Sequence, residues 1–138
     1  MPIDLDFPYG IVTQPVTLVL SPILTNNTSD LAFARHGFSL SAYRQGSAQI
    51  PLQFRLPVTV TLHYTTADIK LVEDEMKLTL RLWQNRQWQD AAQTCNPMSL
   101  YARRPADKIL SLPICQTGQF ALFGPTNTIY LPLIFNDG

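Results

Sequence analysis

The sequence predicts an all-β fold, a single antiparallel β-sandwich of about eight or nine short strands. Three observations predict it: polar and apolar residues alternate in short runs, 11 prolines are spread along the chain, and its two cysteines each end such a run. Alternation at period two is typical of half-buried strands, and frequent prolines interrupt helices. At 138 residues the chain fits one domain, residues 1–138, in which 125–138 is a C-terminal strand or tail.

The predicted strands follow one another with turn residues between them. The run 58–64 shows the pattern best, because Val58, Val60 and Leu62 alternate with polar residues. Residues 84–87 join two of the runs as a hairpin, and only 67–76 has a composition that allows a helical turn. The other runs with strand periodicity are 15–20, 38–43, 50–55, 77–83, 88–92, 109–115, 119–123 and 128–135.

Cys95 and Cys115 each end an apolar run, and a polar segment rich in turn residues separates them. Two strands paired across that segment would bring the sulfur atoms within bonding distance. A disulfide implies an oxidising compartment, so the predicted location is extracellular or at the cell surface. With only two cysteines and two scattered histidines in the chain, no metal site is predicted.

Composition narrows the classes of partner. Lys plus Arg and Asp plus Glu are both 10, so the net charge is zero, and neither nucleic acid nor an anionic membrane is an expected partner. Every apolar run is shorter than the ~20 residues that span a bilayer, so no membrane insertion is expected. No constellation of nucleophile, base and acid is evident, so we predict neither enzymatic activity nor a cofactor.

Aromatic residues supply a candidate contact site for a ligand or partner. Trp83 and Trp88 flank the predicted hairpin turn, and Tyr101 follows in the polar segment between the cysteines. Exposed aromatic rings on a rigid sheet are suited to stacking against sugars, so one hypothesis is a carbohydrate-binding module. The structural alternative is that each tryptophan packs in the fold with its N–H bonded.

The segment 128–135 is apolar on both faces, so it must be covered on both sides. Within one domain it would be a central or sheet-closing strand. Between chains it would complete a neighbour's sheet by β-strand addition and build a filament or surface array. The residues that would make this exchange are Ile129, Tyr130, Leu131, Leu133, Ile134 and Phe135.

Several motifs occur in an order that resembles ZU5-like β-sandwich domains, and in particular a domain type at the C-terminal ends of exported bacterial proteins of the Chloroflexi type. The resemblance covers roughly 11–124. It implies an exported, non-catalytic module and no substrate. The motifs are Phe33–Tyr43, Leu56–Tyr64, Thr66–Asp68, Leu78–Trp83, Trp88–Ala92, Thr94–Pro97, Ile114–Cys115, Phe120–Gly124 and the closing Tyr130–Phe135.

Some ZU5-related domains cleave themselves at a His-Phe-Ser sequence. Here the order is His36-Gly37-Phe38-Ser39, with one extra residue between His and Phe, so self-cleavage is the weaker alternative. The leading prediction is a non-catalytic extracellular structural or interaction module with protein partners, and carbohydrate binding is the runner-up.

Overall fold

The structure is a computed structural model that describes residues 2–44 and 48–126. Ten strands lie in this part of the chain: β1 Ile3–Asp6, β2 Val16–Pro22, β3 Leu31–Arg44, β4 Ala48–Ile50, β5 Gln53–His63, β6 Thr79–Gln84, β7 Gln87–Asp90, β8 Ala102–Arg104, β9 Ile109–Gln116 and β10 Gly118–Pro125. Three short 3₁₀ helices accompany them: Glu75–Lys77, Ala91–Thr94 and Pro105–Asp107.

The strands form two antiparallel sheets that pack face to face. The four-stranded sheet has the order β1-β5-β9-β8, and the six-stranded sheet has the order β2-β3-β10-β6-β7, with β4 also paired to β3. The predicted antiparallel β-sandwich is therefore confirmed. Among the described residues, no helix is long and apolar enough to cross a membrane.

The core lies between the sheets and follows the predicted alternation. Val58, Val60 and Leu62 of β5 are buried with the apolar positions of β6 and β9. Phe38 of β3 and Phe120 of β10 are fully buried and stack with ring centroids 5.1 Å apart. These strands contribute to one continuous cluster of buried residues between the two sheets.

Some strands differ from the prediction. The predicted runs 50–55 and 58–64 contribute to one long strand, β5, whose register against β9 shifts between Gln53 and Val58, a stretch that contains Pro57. The sequence pattern did not predict β1 and β8, because both are too short to show a clear alternation. β1 has four residues, two of them aspartates, and β8 has three residues, two of them arginines. Pairing with β5 and β9, rather than local sequence, makes them strands.

Candidate functional site

The β6–β7 hairpin carries the two tryptophans on the outer face of the six-stranded sheet. Its turn consists of Asn85 and Arg86, both with positive φ (55° and 62°), the backbone that a tight two-residue hairpin needs. This turn sets the register so that Trp83 lies directly opposite Trp88, with ring centroids 5.3 Å apart. The predicted hairpin is confirmed, and it places the two indoles side by side.

Trp88 is anchored by an aromatic cluster outside the core. Its ring lies 5.1 Å from that of Phe123, which is fully buried and in turn contacts Phe33 at 5.9 Å. Trp83 sits at the solvent side of this cluster and keeps 44% of its surface exposed. The result is a solvent-facing indole on a packed base.

The chain that follows β2 forms the opposite wall of a cleft beside these tryptophans. The Ile23 N–H donates to the Gly37 carbonyl at 3.0 Å, and a Cβ at position 37 would lie 2.9 Å from the Ile23 carbonyl oxygen. Glycine at 37 therefore permits this close approach. The cleft has a volume of about 290 Å³ and is lined by Ile23, Leu24, Thr25, Trp83, Trp88 and Gln119.

Tyr101 has a different environment from the tryptophans and does not line their cleft. Its hydroxyl accepts a hydrogen bond from the Leu80 N–H at 3.0 Å and donates to Asp90 Oδ1 at 2.6 Å. Burial raises the pKa of Tyr101, and the hydrogen bond to Asp90 raises it further, so the phenol stays neutral. The Tyr101 hydroxyl therefore ties β6 to the end of β7, and the residue lies outside the tryptophan cleft.

The two cysteines form a disulfide, Cys95–Cys115, with the Cα atoms 5.1 Å apart. Its placement corrects one part of the prediction, because only Cys115 lies on a strand, β9. Cys95 directly follows the 3₁₀ helix Ala91–Thr94, which begins where the Asp90 carboxylate accepts the Ala92 N–H and turns the chain away from β7. The bond therefore links the end of the six-stranded sheet to the four-stranded sheet.

The residues considered for self-cleavage are engaged with other partners. His36 Nε2 lies 2.7 Å from Asp68 Oδ2, and Ser39 Oγ lies 3.3 Å from Ser41 Oγ. These contacts pair the histidine with an acid but give no support to an attack by Ser39. Within the described part of the chain, no three His, Cys, Asp or Glu side chains are grouped as a metal-ligand set.

Asp68 is expected to make the free energy of unfolding depend on pH in the acid range. Burial by itself would raise the pKa of Asp68, but hydrogen bonds from the Thr65 N–H and from His36 outweigh it, and the pKa lies below its ordinary value of 3.8. A depressed carboxyl pKa stabilises the fold above the unfolded-state pKa, and this contribution is lost as pH falls through the folded-state pKa.

We therefore expect Asp68→Asn to be less stable than wild type at neutral pH, with a difference that narrows as the pH is lowered below 3.8. Urea unfolding across the acid range measures this difference. Asp6→Asn, at an exposed position of β1, is the matched control, and its free energy of unfolding should stay within about 0.5 kcal/mol of the wild-type value. A constant difference between Asp68→Asn and wild type at every pH would contradict the assignment.

Together, the fold and the cleft define a disulfide-linked β-sandwich module with a solvent-facing aromatic surface. No family model, curated protein or solved structure matches the chain. The predicted exchange segment lies outside the described residues, and its members are Ile129, Tyr130, Leu131, Leu133, Ile134 and Phe135.

Proposed function

We propose that the protein is a non-catalytic, exported structural or interaction module that binds protein partners, above all copies of itself, by β-strand addition. The observation that carries this proposal is strand β2. It is an edge of the six-stranded sheet, seven residues long and without a charged side chain. An edge strand offers unpaired backbone N–H and C=O groups to another chain.

Strand β2 has the features of an acceptor edge. Among the described strands it pairs with β3 alone. Leu18 and Leu20 pack against the core from one face, and Val19 on the other face is 40% exposed. A strand added here would gain main-chain hydrogen bonds and apolar contact at once.

The other edges are blunted in the ways by which proteins avoid unwanted pairing. β1 carries two aspartates in four residues, and β8 is three residues long with two arginines. β7 has four residues and ends at Asp90. By comparison, the one such feature of β2 within residues 2–44 and 48–126 is Pro22 at its last position, which favours β2 as the acceptor.

The donor we propose is the segment 128–135 of a neighbouring copy. It has no charged residue, and its apolar side chains suit both faces of a sheet. Pro132 lacks a backbone N–H, so the pairing must leave that position without a ladder hydrogen bond. Export is supported by the disulfide, which persists outside reducing compartments, and by the resemblance to exported ZU5-like domains.

Adding charge to the acceptor edge should prevent association. We expect wild-type protein to self-associate as its concentration rises, and Thr17→Lys/Val19→Lys to weaken association about tenfold or more, because charged side chains on an edge oppose pairing. Both positions are exposed on β2. Sedimentation velocity over a concentration series measures the association constant.

Gln84→Lys/Gln87→Lys adds the same charge to exposed positions of the β6–β7 hairpin and should associate like wild type. A chain lacking residues 127–138 should stay monomeric and bind a synthetic peptide of residues 127–136. Wild-type protein that remains monomeric at every concentration would refute the proposal. Equal loss of association in both lysine variants would refute β2 as the acceptor.

A further inference from the structure

A second cleft adjoins the tryptophan cleft on the outer face of the six-stranded sheet. It has a volume of about 520 Å³ and lies where β3, β4 and the start of β10 meet. Gln119 lines both clefts, and we call the two clefts together the outer track. Its lining is polar at Ser39, Ser41, Gln49, Thr117 and Gln119 and apolar at Leu40, Ile50 and Pro51.

The strand register explains why these side chains face the same way as the tryptophans. Ser39 pairs with Gln119 across β3 and β10, and Trp83 pairs with Trp88 across β6 and β7. Phe120 and Leu82 pair with each other across β10 and β6 and are buried, so their neighbours Gln119 and Trp83 both face outward. Side chains opposite each other in an antiparallel pair lie on the same face of the sheet. The outer track therefore crosses the strands from serine and glutamine side chains at one end to indole rings at the other.

No charged side chain lines either cleft in the described structure. This lining does not favour an anionic ligand such as nucleic acid, which is held by cations. Glutamine side chains both donate and accept hydrogen bonds, and serine and threonine hydroxyls do the same. The lining thus matches a ligand that carries many neutral hydroxyl groups.

The exposed indole adds a flat apolar platform to this neutral lining. A sugar ring presents an apolar C–H face with hydroxyls around its rim, so its face can stack on Trp83 while its rim reaches Gln119. Trp83 contacts Trp88, which in turn contacts Phe123. Because these contacts already restrict the Trp83 side chain, binding a sugar costs little additional conformational entropy. A peptide strand is a poorer match, because it pairs with a sheet edge and not with a sheet face.

We propose that the outer track binds a neutral carbohydrate chain. One sugar ring stacks on Trp83, and the adjacent sugar units form hydrogen bonds with Gln119 and with the polar side chains of the second cleft. This activity goes beyond self-association, since it uses a face of the sheet and not the edge of β2. Thr17 of β2 and Tyr43, which lies opposite it on β3, line neither cleft, so a single lysine at position 17 adds charge to the edge and leaves the outer track intact.

The test uses the full chain and three probes: the β-1,4-linked hexasaccharides of glucose, mannose and N-acetylglucosamine. Calorimetric titration should show binding of at least one probe, accompanied by a change in tryptophan fluorescence. Trp83→Ala should lower the affinity for that probe about tenfold or more, which is the usual loss when one central aromatic contact is removed. Gln119→Ala should weaken it by a smaller factor.

Leu56→Ala is the matched control, because Leu56 of β5 is also 44% exposed but belongs to the other sheet. It should bind like wild type, as should Thr17→Lys. Absence of binding to all three probes at millimolar concentration would overturn the proposal, as would binding that Trp83→Ala leaves unchanged. If wild-type protein self-associates but binds none of the sugars, this inference alone is refuted. If it binds a sugar but stays monomeric, strand addition alone is refuted.

Discussion

Phe120→Ala is expected to lower the free energy of unfolding by about 3–5 kcal/mol, the usual cost of removing a buried phenylalanine ring. Phe120 is fully buried on β10, opposite Phe38 of β3 and Leu82 of β6. Its loss leaves a cavity beneath the central strands and removes the stacking contact with Phe38. Urea unfolding followed by circular dichroism measures the change.

Gln119→Ala is the matched control for this prediction, because Gln119 precedes Phe120 on the same strand and faces solvent. Its effect should stay within about 0.5 kcal/mol, as for most surface substitutions. If Phe120→Ala were to cost less than about 1 kcal/mol, the ring would not be the central packing element that the structure shows.

Removing the disulfide by Cys95→Ala/Cys115→Ala is expected to cost about 3 kcal/mol. The two residues are separated by 20 positions in sequence, and the bond restricts the unfolded chain across that loop. Because it also links the end of the 3₁₀ helix Ala91–Thr94 to β9, its loss frees a connection between the two sheets. Urea unfolding of the variant, and of wild type with and without reductant, measures the effect.

In reductant, wild-type protein should unfold at nearly the same urea concentration as the variant. Reductant should not change the urea concentration at which the variant unfolds. Equal stability of oxidised wild type and variant would contradict a stabilising role for the bond. Two freely reactive thiols in natively purified protein would remove the main physical support for export.

Local periodicity was enough to predict much of the fold. The alternation at 58–64 and at 77–83 assigned Val58, Val60, Leu80 and Leu82 to the core, and all four are buried. The reason is that side-chain direction in a strand depends only on position along it. The hairpin between Trp83 and Trp88 was predicted for the same kind of reason, since a short turn leaves its flanking strands little choice of partner.

Features that depend on distant partners could not be predicted in this way. Strand β1 forms because its backbone pairs with β5, almost sixty residues later in the sequence. Tyr101 turns inward because Leu80 and Asp90, 21 and 11 positions earlier in the chain, bind its hydroxyl. Residue type alone did not distinguish this tyrosine from an exposed one.

The sequence by itself determined the sandwich class, the faces of the main strands, the cysteine pair and the paired tryptophans, because these follow from short-range patterns and from a single pair of sulfur atoms. Only the tertiary structure decided that β2 is an uncharged edge strand and that Gln119 lines both the tryptophan cleft and the second cleft. The physical reason is that strand order and register depend on how the two sheets pack around one core, and short stretches of sequence do not contain that information.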